Sequence, residues 1–421
     1  MARILAQSYK VLYRETLKAV VVGALALLAA CAGPQPAEAN ALPAPVSVAA
    51  TRASGHAAPP GAALEVRGAV APRVRGHLSA RELGLVINTA DPYSVQVGEY
   101  YARARGLGPT QVLRVVLPVR HDLGAAEFRL LAAQIADHFG DDIQALALAW
   151  NQPYAVGCQS ITGALTLGLD ASLCSRSCAA TPKSRYFNAA SARPWTDLRL
   201  RPSMLLAAGD VGSARALIQR GVAADHSLGW RGAPPVQALF VATSDAARSV
   251  RARLFPPPGP LRGMGVDVEV ARTDTPPAAE RLLIYETGAA HLAGLSRLQF
   301  VPGALADHLT SFGGQLDGRS GQTSVLAWIG AGATASYGTV SEPCNHPQKF
   351  PHPQLLLLHY LQGSTAIEAY WKSVAWPSQG LFVGEPLAAP FARPLPPPTG
   401  AGPAAAALAG GSGSTRSNAP H

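Results

Sequence analysis

Residues 83–150 contain three apolar runs separated by two amphipathic stretches: LGLVINT (83–89), QVLRVVLP (111–118) and IQALALAW (143–150). Each run has the length of a strand and lacks polar alternation, as expected where a sheet is covered on both faces. After the first run Asp91 stands before Pro92, an N-cap followed by proline at the first helical position. Val97, Tyr101 and Ala104 then fall on one face, and Gly106 closes the segment. After the second run Phe128, Leu131, Ile135 and Phe139 recur at helical spacing. Strand, helix, strand, helix, strand at these lengths predicts an α/β fold with a mainly parallel sheet and flanking helices.

The alternation resumes beyond a loop-rich stretch over 151–205. A helix is expected over 212–220, stopping at Gly221. VQALFVAT (236–243) reads as a strand, with Ser244 or Asp245 capping a helix through Leu254. VDVEV (266–270), LLIYET (282–287) and SVLAWI (324–329) read as further strands. Two consecutive α/β halves are therefore expected, 79–225 and 226–393. No internal repeat of about 20–50 residues emerges, which argues against a solenoid.

The N-terminal residues carry Arg3, Lys10, Arg14 and Lys18 against Glu15, followed by AVVVGALALLAA (19–30) and Cys31. A basic segment before about a dozen apolar residues is a secretory signal, since a spanning helix needs about 20. LAAC (28–31) matches the bacterial lipoprotein cleavage box, so residues 1–31 are expected as signal with Cys31 acylated. Cleavage after AEA (37–39) is the alternative. Ala32, in place of an aspartate, points to an outer-membrane lipoprotein on the periplasmic or cell-surface side. Residues 32–78 and 394–421, rich in Ala, Pro and Gly, are expected as a disordered tether and a disordered tail.

With 48% hydrophobic and 14% charged residues, the chain can bury a substantial core. Its net charge of +9 comes mostly from scattered arginines, which form no stripe for tracking phosphates and so exclude a nucleic-acid partner. The expected partners are a membrane, through the lipid anchor, and exported surface proteins or polysaccharide. Beyond Cys31, Cys158, Cys174, Cys178 and Cys344 make an even set that favours two disulfides in an oxidising compartment. Three pairings are open. The proximity of Cys174 to Cys178 favours that pair, leaving Cys158 with Cys344.

Ligands of open α/β sheets sit beyond the carboxyl ends of strands. That selects NTADPYS (88–94) with Asp91, NQPYAVGC (151–158) with Tyr154, ETGAAH (286–291) with His291, and SEPCNHP (341–347). Cys344 is a candidate nucleophile, with His308 as its base and Asp307 or Glu342 orienting the ring; a disulfide at Cys344 would remove it. His308, His346 and His352 with Asp307 and Glu342 offer a metal-centre reading, but their spacing matches no standard zinc motif, and no metal or cofactor is expected. Ser160 reads as a helix cap. Trp371 and Trp376 would line a sugar or peptide groove or fill the core.

Two resemblances add to this reading. QFVPGALADHLTSFGG (299–314), WIGAGATASYGTVSEPCN (328–345), KFPHP (349–353) and EAYWKSVAWPSQGLFVGEP (368–386) resemble an uncharacterised family of exported bacterial proteins found with the exosortase sorting system. That resemblance implies a role in maturation, sorting or handling of surface proteins. TGAAH (287–291) resembles the gingipain and caspase-like cysteine peptidases, in which a histidine follows one strand and the nucleophilic cysteine the next. The next strand is read at QFVPG (299–303), where no cysteine stands. The resemblance thus implies a caspase-like fold with its peptidase site lost, binding a peptide or glycan without cutting it.

Overall fold

The computed structural model describes residues 64–393 apart from 67, 231 and 262. The signal segment, Cys31, the AEA site, most of the tether and the 394–421 tail lie outside the described residues.

Hairpin strands β1 (Leu64–Val66) and β2 (Ala69–Ala71) come first. The alternation legible in the sequence follows: β3 (Leu83–Asn88), α1 (Pro92–Arg105), β4 (Val112–Val115), α2 (Ala125–His138) and β5 (Ala145–Leu148). A small hairpin, β6 (Ala155–Val156) and β7 (Gln159–Ser160), leads into α3 (Ile161–Leu167), then α4 (Pro194–Leu198) and β8 (Ser203–Leu205). Next come α5 (Val211–Ala224), β9 (Val236–Ala242), β10 (Gly259–Leu261), β11 (Val266–Arg272), β12 (Ala279–Gly288) and β13 (Leu298–Leu309). α6 (Leu326–Ala331), β14 (Ala335–Thr339), α7 (Pro353–Leu361), α8 (Ala366–Ser373) and β15 (Gly380–Gly384) complete the order.

Eleven strands form one sheet in the order β10-β11-β9-β12-β13-β14-β15-β8-β5-β3-β4. All neighbours are parallel except β10–β11 and β14–β15. This is a mixed α/β fold with a mostly parallel sheet. β3, β5, β8, β14 and β15 are buried at every residue, so both faces of the sheet are covered there. The α/β expectation holds, but the two halves share one sheet: β15 comes late in the chain and inserts beside β8 of the first half.

Local chemistry explains the elements and four departures from expectation. Asp91 caps α1 by accepting from the Tyr93 N–H, Pro92 occupies the first turn, and Gly106 ends the helix at φ 64°. The helix expected to stop at Gly221 runs on to Ala224. Gly221 is an approach point rather than a terminator, because a Cβ there would meet Glu385 Cγ at 2.4 Å. SVLAWI (324–329) enters helix α6 instead of a strand; a short apolar run fits either when its surroundings are apolar. The helix expected from Ser244 or Asp245 shrinks to a 3-10 segment at Val250–Leu254. Residues 64–78, expected in the tether, include the β1–β2 hairpin, and Ala71, Val74 and Leu78 are buried. The Leu78 N–H donates to Glu368 Oε2 at 3.1 Å, tying this segment to α8.

Candidate functional site

The antiparallel junction β14–β15 reverses strand direction in the middle of the sheet. The carboxyl ends of β9, β12, β13 and β14 therefore face one edge, and those of β3, β4, β5 and β8 the other. The loops selected from the sequence divide accordingly: 88–94 lies at the first-half edge, 286–291 and 341–347 at the second-half edge. The 151–158 loop leaves β5 but joins the second group. Ser160 Oγ donates to Gly380 O at 2.5 Å, and Ser341 Oγ donates to Cys158 O at 2.6 Å.

At the second-half edge the loops enclose two depressions. One is bordered by Thr243, Asp274, Tyr285, Thr287, His291 and Trp328. The other, of about 240 Å³, is bordered by Arg248, Thr310, Ser311, Glu342 and Asn345. Arg248 links them. Its guanidinium pairs with Asp245 at 2.6 Å and donates to Thr310 Oγ1 at 3.2 Å. Its carbonyl lies so close to Gly288 that a Cβ there would come within 2.0 Å. Only glycine lets the β12 end approach this turn.

β13 does not end near Gly303 but runs to Leu309, so the residues leaving its carboxyl end are Thr310 and Ser311. Neither is a thiol. Thr310 Oγ1 donates to Gln322 Oε1 at 2.7 Å. Among the described residues no imidazole is hydrogen-bonded to either hydroxyl.

The Cys344–His308 dyad is overturned by the geometry. Cys344 is bonded to Cys178, and Cys158 to Cys174, each pair with Cα atoms 5.1 Å apart. This also overturns the expected 174–178 and 158–344 pairing: proximity in sequence was outweighed by the approach of the 341–347 loop to the 158–178 loop. A disulfide sulfur has no thiolate with which to attack. Cys344 and Asn345 sit at φ 58° and 46°, an unusual left-handed pair, and Glu342 Oε1 holds the turn by accepting the Cys344 N–H at 2.7 Å.

Asp307 and His308 are consecutive on a strand and so point to opposite faces of the sheet. His308 is fully buried. Its Nδ1 accepts from Trp328 Nε1 at 2.9 Å and its Nε2 meets Thr323 O at 3.0 Å, which places the ring proton on Nε2. Burial pushes its pKa down to about 4, so the ring is a neutral structural bridge at pH 7. The metal reading fails with it: among the described residues no three His, Cys, Asp or Glu side chains converge to hold an ion.

Asp307 belongs to a cluster the sequence reading missed. Glu286 and Asp307 are register partners on β12 and β13, hence neighbours on one face. Arg251, 2% exposed, reaches Glu286 at 3.1 Å and Asp307 at 2.7 Å, and also donates to Thr287 O at 3.0 Å. Burial raises both carboxyl pKa values, Glu286 well above the usual range, and Arg251 opposes the rise. The signal was an acid inside each of two apolar strands, LLIYET and GALADHL. Arg248 and Ser311 carried no comparable mark.

The remaining candidates separate. Asp91 is a helix cap at the other edge. Tyr154 donates to Asp317 Oδ1 at 2.9 Å; burial and that carboxylate raise its phenol pKa. His291 alone of the four binding candidates borders a depression and is exposed. Trp371 is wholly buried, stacked on Phe382 at 4.2 Å with Nε1 donating to Ser203 O, so it is core and not a binding surface. Ser160 caps α3 as expected, accepting from the Gly163 N–H at 2.8 Å.

No family model matches this chain, and no curated protein matches it. Among solved structures it is similar to the Arg-specific cysteine proteinase gingipain R, with a TM-score of 0.40 and 12% identity over 74% of this chain and 78% of that one.

Proposed function

We propose that the chain is an exported, lipid-anchored protein that uses the edge around Arg248, Ser311 and His291 to hold an extended segment of an exported surface protein without cleaving it. The observation that carries this reading is the carboxyl end of β13. There two hydroxyl residues stand beside a guanidinium and a carboxylate, with no thiol and no imidazole bonded to them. Arg248, Glu342 and Asn345 supply donors and acceptors suited to peptide backbone and acidic side chains. The signal-like N-terminus, the LAAC box and the two disulfides favour export. The resemblance read in the sequence of 299–386 suggests sorting as the setting. A caspase-like ancestry with the peptidase site lost fits the same facts.

The test is titration of the purified protein with peptides from surface proteins of the same cell envelope, alongside capsular or exopolysaccharide. Peptide binding should weaken roughly tenfold in Arg248→Ala while the unfolding midpoint stays put, and no peptide should be cut. Turnover lost in Ser311→Ala would overturn the non-catalytic reading, and saccharide binding in place of peptide would change the ligand class. Labelling with a fatty-acid analogue, present in the natural chain and lost in Cys31→Ser, tests the anchor.

A further inference from the structure

Strand β4 is the outermost of the eleven on the first-half side and has a neighbour on one side only, β3. The Thr89 N–H donates to Val115 O at 2.8 Å, and the Asn88 side chain takes the N–H and the C=O of Leu117 at 2.9 and 3.1 Å. Backbone groups alternate in direction along a strand, so Arg114 and Val116 turn theirs away from β3. Among the described residues no hydrogen bond reaches those groups. Pro118 has no N–H and ends this open edge. The edge is also apolar. Val116 is 78% exposed, Val119 just beyond it 53%, and Leu130 on α2 66%. A groove of about 570 Å³ is bordered by Leu113 and Val116 of this segment and by Gln134, Asp137 and His138 at the end of α2. Folded proteins ordinarily blunt a free edge with charge. Here the one charge is Arg114, and it is paired with Glu99 of α1 at 3.3 Å.

The strand that fits this edge is the same strand turned end for end. In an antiparallel pair the outward residues meet in pairs that exchange both N–H···O bonds. Setting Arg114 against Arg114 would oppose like charges directly. Setting Val116 against Val116 would bring Arg114 to Pro118, which has no N–H to give. Setting Arg114 against Val116 of a second copy has neither fault, and the arginine stem then covers the exposed valine. On the other face the same register opposes Val115 to Val115 and Leu113 to Leu117, all apolar. The flanking charges agree. Arg120, exposed and paired with Glu127, stands beyond the end of β4. Helix α2 connects parallel strands and so runs back against them, which places Asp137 in its last turn toward the start of β4. Asp137 is exposed and in no ion pair among the described residues. Antiparallel pairing carries Arg120 of each copy toward Asp137 of the other, whereas parallel pairing would set like beside like.

We propose that the β4 edge is the contact surface for a second copy of this chain. The two strands pair antiparallel about a two-fold axis at Val115 and join two eleven-stranded sheets into one. Both copies use the same edge, so assembly closes at a dimer. The proposal does not depend on the function assigned to the other edge.

Light scattering of the purified full chain tests it and should give twice the chain mass. Val116→Pro removes an outward N–H that no group within the chain uses. It should weaken association about tenfold or more while the unfolding midpoint stays put. Val116→Lys, at a position already open to solvent, should give monomer by facing Arg114 of the other copy. Adding Arg114→Glu to Val116→Lys should bring the dimer back. A monomer at every concentration would overturn the proposal. So would a dimer indifferent to Val116→Pro and Val116→Lys, which would place the interface elsewhere. Failure of the added Arg114→Glu to restore association would overturn it too, since the register requires that pair.

Discussion

Arg251 is one guanidinium between two buried carboxyls, an arrangement in which removing the cation costs more than the ion pairs contribute. Arg251→Met leaves Glu286 and Asp307 facing each other in the core and should destabilise the fold by about 3–5 kcal/mol. Adding Glu286→Gln and Asp307→Asn should recover most of that loss in denaturant unfolding; no recovery would mean the arginine acts through packing instead. His308 gives a pH signature. Its folded pKa of about 4 lies below the ordinary 6.5, so between those values the unfolded chain takes up a proton that the folded chain refuses. Its contribution is therefore fully present above pH 6.5 and falls as the pH drops toward 4. One pKa unit corresponds to about 1.4 kcal/mol, which bounds the effect at roughly 3.5 kcal/mol. Glu286 and Asp307, with raised pKa values, act in the opposite sense. The comparison that isolates the ring is urea unfolding of wild type and His308→Gln at pH 7, 5.5 and 4.5. The variant should show the shallower acid slope, and parallel curves would refute the assignment.

At the scale of elements, the second-half edge is held by loops that own little regular structure. The 158–178 and 341–349 segments are tied by Cys178–Cys344, by Ser341 to Cys158 O, and by Lys349 Nζ to Ser177 O. Digestion without reduction should release Cys158 joined to Cys174 and Cys178 joined to Cys344; a Cys174–Cys178 peptide would contradict the fold. The double variant Cys178→Ser/Cys344→Ser should lose about 2–5 kcal/mol, since a loop spanning 166 residues regains its freedom in the unfolded chain. Because Glu342 and Asn345 sit in that loop, the same variant should also weaken any ligand of the groove.

For the molecule as a whole, the position of β15 decides cooperativity. It pairs with β14 on one side and β8 on the other, and Glu385 just beyond it accepts from Tyr101 at 2.7 Å and Arg105 at 2.9 Å of α1. Neither 79–225 nor 226–393 can complete its core alone. Calorimetry of the intact chain should give one transition, and the halves expressed separately should lack cooperative unfolding. Two resolved transitions would mean that the halves unfold independently despite the shared sheet.

Local periodicity was enough to place β3, α1, β4, α2 and β5, because an apolar run or a 3.6-residue stripe is written in neighbouring residues. It also marked Asp91 and Ser160 as caps. β8, β14 and β15 were not legible: SML, ASYGT and GLFVG are short and rich in small residues, and become strands only because neighbours supply their hydrogen bonds. SVLAWI took the helical state because a short apolar run fits either state and its packing decides which. The disulfide pairing and the gathering of Arg248, Ser311 and His291 at one edge depend on how distant segments approach. The sequence by itself determined the α/β class and the first five elements of the sheet's first half. Only the tertiary structure decided which residues share an edge, because the reversal between β14 and β15 depends on long-range pairing that no local pattern encodes.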